Sequence, residues 1–141
     1  MYKRQGVNRA LEGLAIDVFT QMKEFGDVAG DPFLEFCEDW MLADEVTHVK
    51  MGSDWLRKVT ANDPDRRTKA LEFQQVVDKL FSFGGARGES ADSSFSLAKR
   101  FRELAGFTDE EVETISQMDA EALEERKEAV RKYRERVGAD A

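Results

Sequence analysis

The sequence predicts an all-α protein, on three observations. Apolar residues recur at three- and four-residue steps over long stretches, Asp-Pro pairs stand where such stretches begin, and no segment shows strand-like alternation, a hairpin turn or a glycine-rich phosphate loop. With 141 residues the chain can bury one small core.

The elements follow in order. Val7, Leu11, Leu14, Val18, Met22 and Phe25 form the seam of a first amphipathic helix, expected over about 6–26 and ending at Gly26. Asp31 is placed to cap a second helix and Pro32 suits its first position, so this helix is expected over about 31–60. Asp63 and Pro64 repeat the signature and open a third helix, with Leu71, Val76, Val77, Leu80 and Phe81 facing inward until Gly84 and Gly85. The stretch GGARGESADSS, 84–94, is too poor in apolar residues to pack and reads as a loop. Accessory helices follow, one through FSLAKRFRELAG closed by Gly106 and one opened by a capping box from Thr108 to Glu111. The domain organisation is thus a partial helical domain over 6–118 and a charged C-terminal helix or tail over 119–141, where only Leu123, Val130, Tyr133 and Val137 fall at seam spacing.

Charge narrows the function classes. With 21 Lys and Arg against 29 Asp and Glu, the net charge of -8 disfavours nucleic acid and anionic membrane as partners. Cys37 is the single cysteine, which excludes an internal disulfide, and no apolar run is long enough for a membrane span or signal peptide. The expected location is a reducing cytoplasm.

The chemistry concentrates in WMLADEVTHVKMG, residues 40–52, which holds the only histidine. A seam counted from Leu34 runs through Cys37, Met41, Glu45, His48, Gly52, Trp55 and Val59, so Glu45 and His48 fall on core positions. Three residues apart on a helix, their side chains share a face and can hold one metal ion between a carboxylate oxygen and an imidazole nitrogen. Glu12, with Ala15, Ile16 and Phe19 at helical spacing, is a second acid beside an apolar stripe. An ionised carboxylate in a core needs a cation. The alternatives at this point are a metal, or a salt bridge such as Glu45 with Arg9 and a core His48 bonded to backbone. Trp40, Trp55, Phe33 and Phe36 read as core or interhelical contacts, Cys37 as a small core residue, and Glu38 as an extension of the acidic face. The acids from Asp109 to Glu113 suit a helix N-terminus and carry no assigned chemistry.

RALEGLAID and DEVTHVKMG resemble the ferritin-like di-iron carboxylate proteins, which build a metal site in a four-helix bundle from one Glu on each of two helices and Glu-x-x-His on each of the other two. HVKMGSDWLRKV and FRELAGFTDEEV are similar to an uncharacterised ferritin-like family, domain of unknown function four-five-five, over about Arg9 to Val112. The resemblance implies half of such a bundle, two long antiparallel helices with accessory C-terminal helices. It implies Glu12, Glu45 and His48 as ligands of iron or manganese, and Asp44 as the acid that orients a ligand histidine from the opposite half.

One histidine cannot supply two Glu-x-x-His helices. The other half is therefore expected either from a missing N-terminal half of the same bundle or from a second copy in a homodimer. MYKRQ, residues 1–5, matches a translation of GTG TAT AAG AGA CAG, the end of a transposon-type sequencing adapter, and reads as a non-native start to a truncated chain. The expected function is that of a fragment of a di-iron, or iron and manganese, oxidoreductase using dioxygen or peroxide, with no substrate indicated and the isolated chain inactive. The alternatives are a non-catalytic helical interaction module, and an iron storage or handling protein.

Overall fold

In a computed structural model, residues 2–83 and 97–139 are described. They form five α-helices and no strand: α1 (Tyr2–Ala29), α2 (Pro32–Val59), α3 (Pro64–Val77), α4 (Lys99–Leu104) and α5 (Asp109–Ala139). A π-helical segment, Asp78–Phe83, continues α3. Among the described residues no helix is long and apolar enough to cross a membrane. The loop expected over 84–94 lies outside the described residues, as do the side chains of Phe81, Val130 and Val137.

Local chemistry sets the helix starts. The Asp31 carboxylate accepts from the backbone N–H groups of Phe33 and Leu34, with Pro32 following where no N–H is needed. Asp63 does the same for α3 through the N–H of Arg66. At α5 the capping box closes in both directions, Thr108 N–H to Glu111 at 2.7 Å and Glu111 N–H to the Thr108 hydroxyl at 3.2 Å.

The first helix does not end at Gly26. It runs to Ala29, and Gly30, with φ of +68°, makes the left-handed turn. Gly26 serves the packing instead. A Cβ there would lie 2.7 Å from the backbone N of Glu35, so its absence lets α1 and α2 touch backbone to backbone. Further along, Lys23 pairs with Asp39 at 2.5 Å. Contacts thus step down α1 as they step up α2, and the two long helices pack antiparallel.

The core lies to one side of this pair. Ile16, Leu42 and Val49 meet Ala105, Phe107, Val112 and Ile115 from the accessory helices. On α2 the buried stripe is Glu38, Leu42, Val49, Gly52, Ser53 and Leu56, rotated about one position from the seam expected through Met41, Glu45 and His48. Phe33, Phe36, Trp40 and Trp55, expected as contacts, are 77, 68, 69 and 43% exposed. Cys37 is half-buried. On α1 the expected seam is also partly open, with Phe25 59% exposed, and on the α3 side Val76 and Leu80 face outward while Val77 is buried. α2 carries two adjacent apolar stripes, and the periodicity alone does not say which one the accessory helices cover. Finally, α5 runs unbroken through residues 118 and 119, so the charged C-terminal stretch continues the same helix.

Candidate metal site

Glu12 lies on α1, half-buried, and Glu45 and His48 lie one turn apart on α2. The antiparallel packing brings them into one electrostatic field. Burial, then the charge of Glu45, pushes the Glu12 carboxyl above its usual range, while His48 and a hydrogen bond donated by the Asn8 side-chain amide pull the other way. On α2, His48 Nδ1 stands 3.5 Å from Glu45 Oε2 and His48 Nε2 stands 3.7 Å from Asp44 Oδ2. Both separations are too long for a good hydrogen bond, but both ring nitrogens face carboxylates. The Glu45 side chain is 18% exposed and that of His48 is 48% exposed, so the histidine sits at the rim of the helix pair and not in the core.

The salt bridge between Glu45 and Arg9, the alternative to a metal, is not formed. Arg9 instead grips Glu111 on α5 through two hydrogen bonds of 3.1 Å. Among the described residues no lysine or arginine pairs with Glu12 or Glu45. Glu38, two turns before Glu45, is buried with Oε2 lacking a hydrogen-bond partner. The donor set of carboxylates and imidazole suits a divalent cation such as Fe(II) or Mn(II). The geometry is open: among the described residues no group of three His, Cys, Asp or Glu side chains closes around a common point.

A second polar cluster was not signalled by the sequence. Asp17 and Arg102 form an ion pair in the core, with Arg102 Nε to Oδ1 at 3.1 Å, Nη2 to Oδ2 at 2.7 Å, and the Ala98 N–H donating to the same carboxylate at 2.9 Å. Gly13 makes room for the guanidinium; a Cβ there would lie 2.9 Å from Arg102 Nη1. The Phe107 ring stacks against both Arg9 and Arg102, whose Cζ atoms lie 4.3 and 5.2 Å from its centroid. Asp78 is buried beside this cluster with neither carboxylate oxygen hydrogen-bonded. Burial, with a smaller push from the charge of Asp17, raises its carboxyl to about 6 against the opposing charges of Arg102 and Arg9. These residues hold α4 and α5 onto α1. A groove of about 730 Å³ between α3 and the start of α5, lined by Arg67, Leu71, Gln74 and Ile115 among others, shares no residue with Glu12, Glu45 and His48.

Comparison with known protein families, characterised proteins and solved structures finds no match to this chain.

Proposed function

We propose that this chain carries half of a carboxylate-rich metal site of the ferritin-like kind, with Glu12 and Glu45 as oxygen ligands, His48 as a nitrogen ligand and Asp44 as the acid that orients a histidine. The observation that carries the reading is the half-buried Glu12 on α1 standing in the field of Glu45 on α2, with His48 beside them and no lysine or arginine among the described residues paired with either acid. Two inward carboxylates so placed are stabilised by a shared cation. Iron, or iron with manganese, would supply the electrons for reducing dioxygen or peroxide. The protein's residues hold the charge, present Asp44 to a histidine of the opposite half, and exclude water once the open side is covered. On this reading the parent protein is an oxidoreductase of a reducing cytoplasm, and a second two-helix unit, an upstream half of the bundle or another copy, completes the ligand set.

A non-catalytic helical interaction module is favoured by one observation, the failure of three donors to close around a point among the described residues. Iron storage or handling uses the same ligands without an organic product. Co(II) titration separates the metal readings from the module: visible absorption bands that saturate on the native chain and vanish in Glu45→Gln support a site, and bands indifferent to that substitution contradict it.

A further inference from the structure

The side of α2 turned away from the core carries five large apolar side chains, Phe33, Phe36, Trp40, Met51 and Trp55, all between 43 and 77% exposed. Soluble proteins scatter single apolar residues over their surfaces. Five along one face of a helix, in two groups either side of the exposed Asp44 and Thr47, are of the aromatic and methionine type that marks an interface. The order of these residues says what covers them. Reversed about the point between Glu45 and Val46, Phe36 falls on Trp55, Trp40 falls on Met51, and Phe33 falls on the stem of Lys58. An antiparallel copy of α2 laid on the stripe therefore sets Phe36 against Trp55 and Trp40 against Met51, on either side of a polar centre at Asp44 and Thr47. A surface complementary to itself under a half-turn is the requirement for a closed two-fold interface.

We propose that this face is a two-fold interface with a second copy of the chain, held by Trp40 against Met51 and Phe36 against Trp55. The axis passes between Asp44 and Thr47, where each Asp44 has His48 of its own chain beside it. The pairing goes beyond the metal reading and stands without metal.

The test is sedimentation velocity on the full chain in EDTA across a wide range of concentration. The native chain is expected to dimerise. Trp40→Glu or Met51→Lys alone is expected to weaken the dimer at least about tenfold, the effect of losing one well-packed interface anchor. Helical circular dichroism should be unchanged, since both side chains are exposed. Mixing the two variants in equal amounts should restore a dimer, because the introduced carboxylate then faces the introduced ammonium. A monomer throughout, a dimer indifferent to both substitutions, or a mixture that stays monomeric overturns the proposal. Because the metal is removed, these outcomes are independent of whether Glu12, Glu45 and His48 bind iron.

Discussion

Asp17 on α1 and Arg102 on α4, 85 residues apart in sequence, meet in an ion pair whose side chains are 0 and 1% exposed. This contact, with the Ala98 N–H bond to the same carboxylate, ties the accessory helices to the long pair. Buried pairs add little against a well-packed apolar substitute, yet losing one partner strands a charge. Arg102→Met is therefore expected to lower the unfolding free energy by about 3–5 kcal/mol, measured by urea denaturation. The double variant Asp17→Leu with Arg102→Met should be less destabilised than Arg102→Met alone; a double variant that is worse contradicts this account.

Asp78 predicts an unusual pH dependence. Its folded-state carboxyl titrates at about 6, above the ordinary 3.8, so the stabilisation of its neutral form is fully present below about pH 4 and is lost as pH rises through 6. Asp78→Asn should raise stability at pH 7.5 by about 3 kcal/mol, the equivalent of two pH units, with the advantage vanishing near pH 4. Denaturant midpoints of both proteins across that range check it, and a variant weaker than the native chain at pH 7.5 contradicts it.

Glu111 runs in the opposite sense. Burial raises its carboxyl, but the Arg9 hydrogen bonds and charge, the Thr108 N–H and Arg67 outweigh that and hold it below the usual 4.5. Its contribution is present above pH 4.5 and is lost as pH falls through the lower folded value. Glu111→Gln should cost about 3 kcal/mol at pH 7, because Arg9 is left buried without its partner. The cost should shrink in acid, and thermal melts at several pH values measure both effects.

The two glycines at the first turn should separate by mechanism. Gly30→Ala meets open space and suffers only from the left-handed backbone, about 1 kcal/mol. Gly26→Ala drives a methyl group into the Glu35 backbone and should cost more, about 2 kcal/mol or above, by prising α1 from α2. Equal costs in chemical denaturation would contradict the close approach.

The all-helical class and the starts of α2, α3 and α5 were legible because a cap is chemistry among neighbours: Asp31 with Pro32, Asp63 with Pro64, Thr108 with Glu111. The face of α2 that packs was not. Two apolar stripes lie side by side, and the one through Leu42 and Val49 is chosen by helices far along the chain. Gly26 and Gly30 compete as helix stops, and only the packed structure shows that Gly26 serves the α1–α2 contact. The sequence placed Glu12, Glu45 and His48 on helices, and the packing brings them into one field, with His48 more exposed than its seam position implied. Asp17, Arg102 and Asp78 left no local signal, since each is explained only by partners outside its own stretch of chain.

The chemistry proposed for this chain rests on metal binding by Glu12, Glu45 and His48. Iron content after anaerobic Fe(II) loading of the native chain and His48→Ala, with sedimentation of the same samples, tests it without intermediate assumptions. About one iron per chain is predicted in an assembled native species, as expected for half of a two-metal bundle, with its loss in the variant. An assembled native protein that holds no more iron than His48→Ala would contradict the metal site.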